Sequence, residues 1–184
     1  MTDTSRSVDK TRRTPLLPVA VLSDPGALLT RGIAGGLFGG FAFLLANMLY
    51  ATYHGKPSVA PLLSISTIFN HTAKPMIMPI SPADVFAGLV LHTALSMTFG
   101  IVFALLVVPL VRHWALLLGA GLIYGVALWA VNIEIFGRTV FPWFTNTHGP
   151  NQLFELWIHP IGYGLFLAPF FFGLARRAAH ATDD

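Results

Sequence analysis

A chain of 184 residues that is 54% hydrophobic and only 10% charged, with a mean hydropathy of +0.68, is too poor in charge to cover a water-facing surface, where roughly a quarter of residues are usually charged. It is long enough for one domain, and without cysteine it has no disulfide, thiolate metal ligand, cysteine-attached haem or cysteine nucleophile. A net charge of +3 and a pI near 9.6 do not point to nucleic acid, because no basic patch with interleaved aromatics accompanies them.

Residues 1–30 are polar or mixed, with Arg6, Lys10, Arg12, Arg13 and three prolines. This segment is too long and too interrupted by proline for the charged start of a signal peptide, and it reads as a cytoplasmic or interfacial tail. The stretch from Leu16 to Leu29 is half apolar, but its prolines argue against a long helix there. Four apolar stretches follow, at about 31–50, 82–111, 114–136 and 151–174. Each meets the requirement of roughly 20 mostly apolar residues for crossing ~30 Å of hydrocarbon. The predicted fold is all-α: a four-transmembrane-helix bundle over 31–175, with a short tail at 176–184.

Lysine and arginine set the orientation. With the N-terminus inside, the inner segments hold Arg6, Lys10, Arg12, Arg13, Arg31, Arg112, Arg176 and Arg177, against Lys56, Lys74 and Arg138 in the outer loops. That bias predicts both termini in the cytoplasm of a bacterial inner membrane and two long periplasmic loops, near 51–81 and 137–150. Segment 64–69 reads as a short interfacial helix. Phe141-Pro142-Trp143-Phe144 suits the headgroup level, where tryptophan anchors helices. Long loops confined to one side place the work on that side.

Glycines recur every four residues in the first helix, at Gly32, Gly36 and Gly40, and in the third, at Gly121 and Gly125. Small residues at this spacing let helix backbones approach closely in lipid. Packing inside one chain is the expected use, a dimer interface the other. The chain also reads as two hairpins, each with a glycine-rich helix, a long loop and a helix with one central histidine, which hints at duplication. The two loops carry Asn70-His71-Thr72 and Asn146-Thr147-His148.

Polar groups within the membrane are costly and each calls for an explanation. The second helix carries Asp84, Gly88, His92, Ser96 and Gly100 four apart. The fourth carries Gln152, Glu155, His159 and Tyr163 at spacings of three and four. Each set forms one stripe on a helix face. Asn47 and Asn132 fall on the glycine faces of their helices, and Glu134 points about 200° from Asn132. His92 and His159 lie at matched depth, roughly 12–15 Å below the outer surface. The inner halves, at 101–111, 115–123 and 165–174, contain no ionisable side chain. The expected site is therefore an outer, periplasm-facing pocket built on His92, Glu155 and His159, with Asn132, Glu134 and Asn47 beside them. Pro160 bends the fourth helix at this level and frees the carbonyl of Leu156.

Three uses compete for such a pocket. It can fix helix register in a non-enzymatic membrane subunit. A Glu–His pair can take up a proton, giving a sensor or one-sided binding pocket. Or His92 and His159 can be axial ligands of a haem b, with Gly88 and Gly100 leaving room for the ring, or bind a divalent metal with Glu155, which would suit electron transfer or oxidoreductase chemistry. No motif supplies a reaction, so the first two lead. The expected partners are the lipid bilayer and other membrane subunits or a second copy.

The run from Ala83 to Arg177 resembles the YagU-like bacterial inner-membrane proteins. The likeness lies in His92 on a helix rich in small residues, the segment FPWFTN at Phe141 to Asn146, Glu155 four residues before His159, and the closing pair Arg176-Arg177. The glycine-rich first helix is similar too, while the loop near 51–81 has no counterpart. The resemblance implies an integral inner-membrane protein linked to acid tolerance and directs attention to His92, Glu155 and His159. It implies no reaction.

Overall fold

The computed structural model describes residues 24–70, 79–111, 113–141 and 149–174. All regular structure among them is helical, in five helices: α1 (Pro25–Tyr53), α2 (Ala60–Asn70), α3 (Pro82–Leu110), α4 (Trp114–Thr139) and α5 (Gln152–Leu174). All but α2 are long and apolar enough to cross a membrane. The outer surface is itself apolar: Phe41, Leu49, Leu106, Ile123 and Leu153 are each more than half exposed. Contiguous apolar surface of this extent on a monomer calls for lipid rather than water. The four spans fit an integral, multi-pass membrane protein.

Local chemistry sets the helix starts. Asp24 caps α1 by accepting a hydrogen bond from the Ala27 amide at 2.9 Å, with Pro25 in the first turn. That pair starts the helix six residues before Arg31, so part of the expected tail belongs to the first span. Ser81 and Pro82 open α3 in the same way, and Asn151 caps α5 through the Phe154 amide at 3.0 Å. A side-chain oxygen at the cap and proline just inside satisfy or remove amides that the first helical turn cannot pair.

The bundle has two ends. At the turn end, α3 closes in a 3-10 turn at Val108–Leu110 and α4 starts at Trp114. At the loop end, α1 finishes, α2 lies, and α5 begins. The chief packing pairs are α1 with α3, α2 with α3, α4 with α5, and α1 with α5. Each sequence hairpin thus packs its glycine helix on its histidine helix.

The glycine stripes serve contacts within the chain. A Cβ on Gly32 would lie 2.9 Å from the Gly100 carbonyl oxygen, and one on Gly36 would strike the Ser96 carbonyl. Gly35 and Gly39 form a second small face of α1, against Leu167 and Tyr163 of α5, while Gly121 and Gly125 meet Gly164 and Pro160. Close backbone approach supplies the dispersion contact that hydrophobic drive cannot supply in lipid. The core is sealed at the turn end, where Phe103, Leu117, Leu167 and Phe171 are fully buried. There Arg31 donates to the Phe170 carbonyl at 2.9 Å, tying the start of α1 to the end of α5.

The segment expected as a short interfacial helix is longer and more deeply seated. In α2, Leu62, Leu63, Ser66 and Thr67 are buried, and the Leu62 carbonyl occupies the space a side chain at Gly88 would take. Gly55, at φ 70°, turns the chain from α1 towards α2 in a conformation that glycine adopts without a Cβ clash. The Asn70-His71-Thr72 and Asn146-Thr147-His148 stretches, and Pro142 to Phe144, lie wholly or mainly outside the described residues.

Candidate functional site

A cavity of about 510 Å³ opens from the middle of the bundle towards its loop end. All five helices contribute to its wall. Leu95, Phe99, Leu128, Ile133 and Phe136, with Ile65 of α2, make most of it apolar, and Lys56 stands at the rim. The inner end is polar and carries His92, Ser96, Glu155, His159 and Tyr163. Below it the aromatic packing of Phe103 on Tyr124 (5.2 Å between ring centres) and on Phe171 (5.5 Å) closes the bundle.

Each polar side chain at the inner end is held by a defined partner. The ring of His92 reaches from α3 to the Gly40 carbonyl of α1 at 2.9 Å. Since a carbonyl only accepts, Nε2 carries the hydrogen. Ser96 donates to the His92 carbonyl at 2.7 Å, and its oxygen lies 3.4 Å from the same Nε2. Tyr163 donates from α5 to the Ser96 carbonyl of α3 at 2.7 Å. One turn deeper, Tyr124 donates from α4 to the Phe99 carbonyl at 2.7 Å. These bonds stitch α3 to α1, α5 and α4 around the floor of the cavity. His159 donates from Nδ1 to the Glu155 carbonyl at 2.8 Å, and a Glu155 carboxylate oxygen lies 3.4 Å from that nitrogen. Glu155, His159 and His92 are 5%, 6% and 8% exposed.

Phe43 of α1 stands against both imidazoles. Its ring stacks on His92 at 6.2 Å and meets His159 edge-on at 4.7 Å. The two histidines therefore share a level in the bundle, as their sequence depth predicts, but a phenyl ring packs against each.

Two stretches of the wall are π-helical: Ala130–Phe136 in α4 and His159–Gly164 in α5. The second begins at His159-Pro160, where proline removes an amide from the helical ladder. Segments of this kind widen the helix, re-aim side chains and recur at functional sites. Here they face one cavity from two neighbouring helices.

Of the residues expected at the site, His92, Glu155, His159, Asn47 and Asn132 all line the cavity. Asn47 donates to the Phe43 carbonyl at 3.2 Å. Asn132 is half-buried. Glu134 does not belong to the wall: it pairs with Arg138 at 2.6 Å, where the arginine side chain is 58% exposed. Phe43, the Gly40 carbonyl and the α2 wall carried no sequence signal. Ser96 and Tyr163 did, as members of the two polar stripes.

A haem does not fit as the sequence anticipated. Gly88 and Gly100, expected to leave room for the ring, are filled by the backbones of α2 and α1. Among the described residues no three of His, Asp or Glu converge to hold a metal ion. Comparison with known proteins finds no family model, curated protein or solved structure that matches this chain.

Proposed function

We propose that this protein is a non-enzymatic binding protein of the bacterial cytoplasmic membrane, holding a small, mainly apolar molecule in the cavity at its loop end. The supporting observation is the cavity: about 510 Å³, apolar along its walls and polar at its inner end. Binding sites for small molecules characteristically combine these features, with a few placed polar groups fixing orientation. The lysine and arginine bias puts the loop end at the periplasm. The YagU-like resemblance, with its link to acid tolerance, favours a stress-related role in which binding follows protonation of the Glu155–His159 pair. His92 across Phe43, Tyr163 and, at the rim, Lys56 and Tyr50 are the other titratable groups facing that pair.

The test is retention of an environment-sensitive lipophilic dye by the purified protein in lipid nanodiscs. The wild type binds saturably, and Leu95→Trp, which fills the wall, loses the dye while keeping its elution profile. Equal binding by both proteins would remove the cavity as the site. Repeating the titration across pH examines the proton link. A wild-type pH profile that persists in Glu155→Gln would dismiss the pair.

A further inference from the structure

The identity of the hydrogen-bonding atoms left over in the cavity restricts what can occupy it. With Glu155 in its carboxylate form, every donor at the inner end is already committed to a backbone carbonyl. His92 Nε2 donates to Gly40, Ser96 Oγ to His92, Tyr163 Oη to Ser96, and His159 Nδ1 to Glu155. Higher in the wall, Asn47 Nδ2 donates to Phe43 and Ser64 Oγ to Ala60. Lone pairs remain. With Nδ1 protonated, a neutral His159 presents an unprotonated Nε2, which has no partner among the described residues and is not sealed off by its neighbours. Neutral His92 likewise keeps an acceptor at Nδ1, and Glu155 adds carboxyl oxygens. A buried ring nitrogen whose tautomer is fixed by the bond on its other side is a committed acceptor. Near this level Asn132, and the second amide hydrogen of Asn47, are still able to donate, and Lys56 and Tyr50 stand at the mouth of the cavity.

We propose that the cavity selects a lipophile with a hydroxyl head, whose O–H donates to Nε2 of His159 while its hydrocarbon body lies between Leu95, Phe99, Leu128 and Ile133. The proposal rests on the binding role argued above and names the chemistry of the occupant. An acceptor-only head, such as an ether, ester or quinone carbonyl, would face lone pairs with lone pairs. Its burial would leave the protein's acceptors unpaired, and unpaired buried polar groups are what make such sites discriminate strongly. Aliphatic alcohols and phenols share the required O–H, and the flat apolar wall admits either.

The experiment compares two matched pairs of probes on the wild-type protein in nanodiscs: 1-dodecanol with its methyl ether, and 4-nonylphenol with its methyl ether. Each competes against the lipophilic dye. The hydroxyl member of a pair should displace the dye at a concentration about two- to tenfold lower than its ether, as one hydrogen bond of ordinary net strength supplies. His159→Phe, which keeps a ring but has no acceptor, should erase that difference. The pair with the larger ratio identifies an aliphatic or a phenolic occupant. Alcohol and ether competing equally in both pairs would overturn the hydroxyl assignment and leave the binding role standing. Saturable dye that no probe displaces would overturn it as well, whereas failure of the dye itself to bind would remove the binding role too. The wild-type comparison decides the matter even if His159→Phe does not fold.

Discussion

Gly36 and Gly119 are both glycines in apolar membrane helices, yet their surroundings differ completely. The space beside Gly36 is filled by the backbone of Ser96 and Gly100, while nothing lies within 4 Å of a Cβ placed on Gly119. Gly36→Ala must push α1 and α3 apart, and overpacking at such a contact costs about 1–3 kcal/mol. We expect its thermal midpoint, read by fluorescence-detected size-exclusion chromatography after heating, to fall by roughly 2–12 °C at about 2–4 °C per kcal/mol for a chain of this size. Gly119→Ala should stay within about 1 °C of the wild type or gain slightly, because alanine is the better helix former. Equal midpoints for the two variants would show that the α1–α3 contact does not limit stability. The spacing of Gly32, Gly36 and Gly40 in the sequence announces a close contact, but the partner is not legible there. A four-residue repeat is satisfied equally by a neighbour in the same chain or by a second copy, and only the position of α3 decides between them.

At the scale of elements, the sequence revealed lengths, faces and a break in α5 at Pro160, and missed the departure from regular helix in α4. The four spans follow from apolar length alone, and the stripe His92-Ser96-Gly100 follows from a repeat of about four. Assigning a face to Asn132 and Glu134 requires counting residues along α4, and the π segment at Ala130–Phe136 breaks the 3.6-residue period on which that count depends. Asn132 still lines the cavity, while Glu134 pairs with Arg138 outside it. The burial of α2 was hidden for a different reason. Leu62 and Leu63 fall in a loop just before the segment that reads as interfacial, and nothing local says that Gly88, 26 residues beyond Leu62, makes room for the Leu62 backbone. That contact gives α2 a function that can be tested. Gly88→Val puts a branched side chain where the Leu62 carbonyl now sits, so α2 must leave its seat on α3 while the four spans keep their own contacts. The expected outcome is a protein that still elutes as a folded species but binds the lipophilic dye at least about tenfold more weakly, since Ala60, Ser64, Ile65 and Ile68 leave the cavity wall with it. Wild-type affinity in this variant would mean that α2 is not part of the binding surface.

The whole molecule is asymmetric along its length. Its turn end is packed shut by Phe103, Leu117, Leu167 and Phe171, and its loop end holds the cavity, so the side of the membrane from which an occupant arrives depends on orientation. The charge count predicts the loop end at the periplasm, with eight of the eleven cations then expected on the opposite side. The absence of cysteine makes this directly measurable, because any introduced thiol is the only one. Lys56→Cys places a thiol at the rim of the cavity, on an exposed residue. Ala178→Cys places one beyond Arg176-Arg177. With a membrane-impermeant maleimide on intact cells whose outer membrane has been made permeable, Lys56→Cys should label fully, and Ala178→Cys only after the inner membrane is lysed. The reverse pattern would turn the molecule over and make the cavity cytoplasmic, and a stress-related role would then have to sense the cell interior. Labelling of both positions in intact cells would mean that two orientations coexist, as expected only if the three outer cations offset the inner ones. A saturating hydroxyl lipophile should, in addition, slow labelling at Lys56→Cys but not at Ala178→Cys, because only the first thiol borders the space that the ligand fills.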